Sequence, residues 1–165
     1  MLFSVRFALA VVVSSIIGPH AAFASTREDT VDVDHLIAAY HEAVVEHDGA
    51  RLAALFMPEG TAWFSALTDA GLARARARAP NAPKVRPGSV MAFVALVTNS
   101  KDRLDPQHSD LRIRTDGTVA TVTFDFRFLI NGDVQNSGIE SWQLVKGDDG
   151  WRIVSIIYSS TPASN

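Results

Sequence analysis

Asp125 and Arg127 stand two residues apart in TFDFRF, residues 123–128, inside a run whose Phe, Val and Thr content reads as a β-strand. In a strand such a pair shares one face. It is either part of an active site or the solvated side of a sheet whose other side carries the function. A second candidate is HEAVVEH, residues 41–47, which invites comparison with the zinc-binding pattern H-E-x-x-H. Its second histidine lies six positions on, which turns it roughly 240° around a helix, so His41 and His47 cannot share a metal. A third is the basic run from Arg74 to Arg86, which holds Arg76, Arg78 and Lys84 among alanines and prolines. It could meet an anion at a pocket mouth, but it lacks the interleaved aromatics that single-stranded nucleic acid needs, and a solvated loop is the simpler reading.

Elements must position these groups. Val33, Leu36, Ile37, Tyr40 and Val44 recur at helical spacing and predict a helix over about 32–47, stopped by Asp48-Gly49. Asp48 can cap a short second helix carrying Leu52, Leu55 and Phe56, and MPEG then turns the chain into a strand, TAWFS. Residues 67–88 read as a short helix and an irregular loop, and Ser89 can cap a third main helix with Val90, Phe93, Val94 and Val97 on one stripe. Beyond residue 106, Asp116-Gly117, Asn131-Gly132 and Asp149-Gly150 each separate apolar alternating runs. Such dipeptides are strong hairpin signals and predict a meander of strands near 107–115, 118–130, 133–146 and 150–160. Helices first and an antiparallel sheet last define an α+β domain.

Counting outward from two-residue turns pairs Arg112 with Thr121, His108 with Asp125, Arg127 with Asn136 and Thr123 with Glu140. One sheet face then gathers Phe124, Phe126, Phe128, Ile139, Ile156 and Tyr158, with Ser141 and Gln143 as polar members, and must meet the helices. On this register Asp125, Arg127, His108 and Glu140 lie on the other face, where a charge pair contributes roughly 1 kcal/mol or less. Several serines are available to His108, but none sits in a nucleophile-elbow sequence. Trp142, Trp151, Ile153 and Ile157 also fall outside and are too much apolar surface to leave wet, so a homodimer through that outer face is expected. Tyr40, Trp63, Phe124, Phe126, Ser141, Gln143 and Tyr158 are the expected walls of a pocket between helices and sheet; the alternative is that these aromatics fill the core.

The helix pair LIAAYHEAVVEHDGARLAALFMPEGTAWF and the closing hairpin ESWQLVKGDDGWRIVSIIYSS resemble the nuclear transport factor 2-like superfamily, its SnoaL-like polyketide-cyclase branch in particular. The resemblance implies a curved sheet wrapped as a cone around three N-terminal helices, a pocket between them and frequent dimers. Ketosteroid isomerases of that superfamily place a tyrosine on the first helix, which Tyr40 matches. Their general-base aspartate would fall at about Phe64 and their second acid near Ser141 or Trp142, so neither carboxyl is present at its place. Limonene epoxide hydrolase-like members use an Asp-Arg-Asp set, which Asp125, Arg127 and Glu140 match only superficially and in a different order. The motifs are structural and specify fold better than function.

The first 24 residues read differently from the rest. Arg6, the apolar run Phe7 to Ile17, the Gly18-Pro19 break and AFA before Ser25 form a secretory signal peptide cut near Ala24. The apolar run is shorter than the roughly 20 residues of a membrane span, so an exported protein, periplasmic or secreted, with no stable anchor is expected. Residues 25–165 then form one domain. The net charge of −3 offers no reason to expect nucleic acid as a partner. With no cysteine the chain has no thiol nucleophile, thiolate metal site or disulfide. No cofactor, no metal and no complete catalytic set is expected. A small, mostly apolar ligand is therefore the leading expectation, with a cyclase, isomerase or hydrolase using Tyr40 and Tyr158, or a ligand-free dimeric scaffold, as alternatives.

Overall fold

The computed structural model describes residues 20–163, and their side chains from residue 27 onward. Most of residues 1–24, the expected signal peptide, lies outside the described residues. Helix α1 runs His20–Val45, starting earlier than its apolar stripe predicts, and buries Val33, Leu36, Ile37, Tyr40 and Val44 as that stripe requires. His47 closes it with φ 59°, and Asp48 N donates to Ala43 O at 2.9 Å. Asp48 then accepts from Arg51 N and caps α2, Gly49–Ala53.

Strand β1, Ala62–Leu67, leads into α3, Asp69–Arg78, and the short β2, Val85–Pro87. Ser89 caps α4, Val90–Asn99. The long strands β3, Leu104–Thr115, β4, Val119–Ile130, β5, Asp133–Gly147, and β6, Gly150–Pro162, complete a six-stranded sheet of order β2-β1-β6-β5-β4-β3. The α+β architecture is as expected, with one difference: β1 joins the last strand in parallel, Phe64 beside Ile157, so the sheet is mixed. The intervening helices and meander provide the long crossover that a parallel pair needs.

Three single-residue irregularities decide which side chains face the helices. On β3, Asp110 and Leu111 together oppose Phe124, because Ser109 pairs Asp125 while Arg112 pairs Thr123. Asp110 sits there at φ 53°. The turn that follows β3 is also longer than two residues, with Thr115 opposite Ala120 and the Asp116 carboxylate accepting from Thr118 N and Val119 N at 2.9 and 3.0 Å. On β5, Gln135 is the extra residue between the Val134–Leu129 and Asn136–Phe128 pairs. On β6, Val154 is extra between the Ile153–Leu144 and Ser155–Gln143 pairs. Because side chains alternate with period two, each inserted residue reverses the faces beyond it.

The register read from two-residue turns is therefore corrected in three places. His108 pairs Phe126 rather than Asp125 and turns inward. On β5, Glu140, Trp142 and Leu144 point into the core while Ser141 and Gln143 point out. Trp151 and Ile153 are likewise interior, so Trp142, Trp151 and Ile153 cannot form an outer dimer surface; of that set only Ile157 is exposed. Ile139, expected inside, is 61% exposed. Strand β4 keeps its expected faces, with Phe124 and Phe126 buried and Asp125 and Arg127 exposed. The acid–base pair in TFDFRF belongs to the solvated side.

Candidate functional site

Between α1, α4 and the concave side of the sheet lies a cavity of about 220 Å³. Its apolar wall is aromatic: Trp63 of β1, Phe93 of α4, and Phe126 and Phe128 of β4. Its polar groups converge from four elements, Tyr40 from α1, His108 from β3, Asn136 and Glu140 from β5 and Tyr158 from β6. Each is delivered by a local feature already described. The helical stripe turns Tyr40 inward, the β3 bulge turns His108, and the extra Gln135 turns Glu140.

Packing fixes the orientation of these groups. The Tyr40 ring meets Trp142 edge-on with centroids 4.9 Å apart and stacks on Phe93 at 6.1 Å. The His108 ring lies 4.4 Å from Phe124 and 6.2 Å from Tyr40, and Tyr158 meets Phe126 edge-on at 5.4 Å. Trp142 Nε1 donates a buried hydrogen bond of 2.6 Å to Glu140 Oε1. Among the described residues no cation lies within ion-pair distance of that carboxylate.

Burial without a counter-ion sets the protonation of the site. It raises the Glu140 pKa from 4.5 to about 7, the Trp142 hydrogen bond opposing the rise. Burial, followed by the charge of His41, lowers His108 from 6.5 to about 4. Tyr40 is pushed well above its ordinary value, first by burial and then by the charges of Glu140 and Tyr158. At neutral pH the cavity thus holds a carboxyl that exists in both forms, an uncharged imidazole and a tyrosine that stays a hydrogen-bond donor. That set can take up and return protons at carbon or oxygen in an apolar surround.

Of the residues expected to wall a pocket, Tyr40, Trp63, Phe126 and Tyr158 line the cavity. Phe124 is buried behind it, against His108 and Trp142. Ser141 and Gln143 lie on the opposite face, where Gln143 accepts from the Thr121 hydroxyl at 3.1 Å. Glu140 and His108 are the groups that the sequence reading placed outside, and Asn136 was singled out only as a register partner. His41 and His47 serve separate purposes: each ring Nδ1 donates to a backbone carbonyl, of Pro106 at 2.8 Å and of Val97 at 2.9 Å. The basic run begins on the last turns of α3 and continues through an irregular loop into β2, and Arg74 and Arg76 donate to the carbonyls of Pro162 and Ala82. Among the described residues no group of three histidines or carboxylates is placed to hold a metal ion.

An open, curved sheet closed over a helix-lined cavity is the nuclear transport factor 2-like architecture, and solved structures share it. An NTF2-like protein with a cystatin-like fold from Novosphingobium aromaticivorans is 17% identical, with 91% of this chain and 93% of that one covered at a TM-score of 0.63. A candidate scytalone dehydratase from the same organism is 14% identical, with 84% and 88% covered at 0.63. A candidate dehydratase of the NTF2-like family from Streptomyces avermitilis is 18% identical, with 83% and 99% covered at 0.58. At these identities the likeness is one of fold. None of the curated proteins matches the chain. The family model for the SnoaL-like domain matches residues 25–157, and the chain belongs to that family.

Proposed function

We propose that the protein is an acid–base enzyme that moves a proton beside a carbonyl group of a small, mostly apolar, ring-shaped substrate, in an isomerisation or a dehydration. The observation that carries this reading is the buried Glu140 carboxyl on the cavity wall, held by the Trp142 N–H and lacking a cationic partner among the described residues. The cavity is smaller than the roughly 300–1,000 Å³ of ordinary ligand sites, which favours a substrate of one or two rings. Trp63, Phe93, Phe126 and Phe128 suit its faces. The names of the two candidate dehydratases of like fold agree with this class of chemistry.

In the reaction the substrate carbonyl accepts from the Tyr40 or Tyr158 hydroxyl, and the Glu140 carboxylate removes the adjacent C–H proton. The electron pair moves onto the carbonyl oxygen as an enolate that the tyrosine donors stabilise. Isomerisation is completed when protonated Glu140 returns the proton to the far carbon of the conjugated system. Dehydration is completed when the C–O bond at the β-carbon breaks and the departing hydroxide takes the proton as water. A pocket without a carboxylate would have favoured simple binding; Glu140 and His108 supply what that reading lacked. The proposal includes export through the leader and self-association through the outer face, where Phe64, Ile139 and Ile157 are exposed.

Two probes give one ultraviolet-absorbing product, 2-cyclohexen-1-one: 3-cyclohexen-1-one by isomerisation and 3-hydroxycyclohexanone by loss of water. The wild-type protein is expected to turn over at least one, with a rate that rises as pH approaches 7 and the Glu140 carboxylate forms. Glu140→Gln is expected to lower that rate by about 10²–10⁴-fold. Wild-type protein inert toward both probes, or a Glu140→Gln variant as fast as wild type, would refute the assignment.

A further inference from the structure

His108 borders two spaces. With Pro106 it lines the interior cavity, and with the same Pro106 it lines a separate cleft between α1 and β3 that opens at the protein surface. Tyr40 and His41, neighbours on α1, divide between the two: Tyr40 faces the cavity and His41 the cleft. The His41 Nδ1 atom lies 2.8 Å from Pro106 O. A carbonyl only accepts, so Nδ1 carries the hydrogen that faces Pro106, which leaves Nε2 for a second partner. Asp34 and Glu42 of α1 stand in the same cleft, Glu42 paired with Arg51.

We propose that His108 and His41 form a proton passage between the cavity and this cleft, so that a proton held by Glu140 equilibrates with solvent on the α1–β3 side. This rests on the acid–base reading of the cavity and adds its route to water. While a substrate fills the cavity, its aromatic walls Trp63, Phe93, Phe126 and Phe128 carry no protons, so exchange between the proton on Glu140 and solvent falls to the polar groups of the wall. The cavity has room for several waters at about 30 Å³ each, enough to link Glu140 to the His108 ring. The imidazole of His108 is held against Phe124 and is uncharged at neutral pH, so it can accept a proton at one nitrogen and release one at the other. On the cavity side the titratable groups facing it are Tyr40, Glu140 and Tyr158; on the cleft side they are His41, Asp34 and Glu42. His41 is a positioning and relay residue and does not touch the substrate space.

The test is 3-cyclohexen-1-one isomerised in deuterium oxide, with deuterium at C4 of the product read by NMR. In this reaction the C2–H bond breaks, Glu140 holds the proton, and the C4–H bond forms from the proton or from a solvent deuteron that has replaced it. Wild-type product is expected to carry deuterium at C4. His41→Gln keeps an N–H donor for Pro106 O but cannot relay a proton, and is expected to lose most of that label; His41→Leu should do the same. Added imidazole, small enough to enter the cleft, should restore label in both variants. A merely structural role for His41 would change the rate but leave the labelled fraction of the product unmoved. Equal label in wild type and His41→Gln overturns the passage while leaving the role of Glu140 intact. No isomerisation by the wild-type protein overturns both.

Discussion

The cavity holds an acid and a base that are both expected to be uncharged over the same pH range, and this makes a specific prediction for stability. Glu140 rises from 4.5 to about 7 on folding. Between those values the folded protein binds a proton that the unfolded chain has released, so this group's contribution makes stability fall as pH rises through the window. At about 1.4 kcal/mol per pH unit the loss is about 3 kcal/mol, complete above pH 7. His108 works in the opposite sense. Its folded value of about 4 lies below the ordinary 6.5, so its contribution is present above pH 6.5 and is lost as pH falls toward 4, again by about 3 kcal/mol. Between 4.5 and 6.5 the folded state holds one proton on Glu140 and the unfolded state one on His108, and the two slopes cancel. Glu140→Gln should expose the His108 term. Relative to wild type it should gain little at pH 4 and up to about 3 kcal/mol at pH 8, seen as roughly 6–12 °C in Tm for a chain of this size. His108→Asn should show the reverse, gaining on wild type as pH falls from 6.5 to 4. The assay is thermal unfolding followed by circular dichroism at closely spaced pH values. A difference between Glu140→Gln and wild type that is constant with pH would refute the assignment of Glu140 as a buried, uncompensated carboxyl.

Trp142→Phe removes the indole donor that opposes the rise of Glu140. The pH profile of turnover should move to higher pH, and stability should fall by about 1–3 kcal/mol from the lost hydrogen bond and volume; a profile that stays in place would argue that the donor does not tune the carboxyl. Gly88→Ala places a methyl group 2.3 Å from Trp63 Cδ1, so the ring must shift across the cavity wall. The probe reaction should lose affinity in KM more than in kcat, with about 1–3 kcal/mol lost in denaturant unfolding.

The helices, the hairpin turns and the faces of β4 were legible because each rests on a local signal: the stripe ending in Tyr40 and Val44, the Asn131-Gly132 dipeptide, the alternation of Phe124, Phe126 and Phe128. The family resemblance was legible in the first helix pair and the last hairpin. The site was only half legible, since Tyr40, Trp63, Phe126 and Tyr158 follow from pattern while His108 and Glu140 depend on bulges. A bulge is one residue in a strand and carries no turn dipeptide, yet it reverses everything beyond it. One signal was present. Trp142, Trp151 and Ile153 all fell on the supposed wet face, an apolar excess that a shifted register explains without a partner subunit. Ile153 and Ile156 offer the same clue, because two core residues three apart on one strand require an extra residue between them.

On the proposed acid–base reading, the same bulges place the reacting groups at some expense of the fold's own stability. An unbulged β5 would put Ser141 and Gln143 in the cavity, groups that are satisfied at little cost and move no protons. The shifted strand instead buries a carboxyl with a single indole donor, and the bulge at Asp110, held at a positive φ that non-glycine residues rarely adopt, turns an imidazole toward the same space. Each is unfavourable taken alone: a charged Glu140 above pH 7, a charged His108 below pH 4. Together they keep the folded state tolerant of the range between, with a proton available on the acid and a vacancy on the base. An ion pair in their place would fix the proton on His108, and Glu140 would then be a carboxylate too stabilised to exchange it near neutrality. Separate placement on β5 and β3 of an aromatic-walled cavity, with no ion pair between them, is what leaves the His108 imidazole uncharged and the Glu140 carboxyl able to exist in both forms near neutral pH.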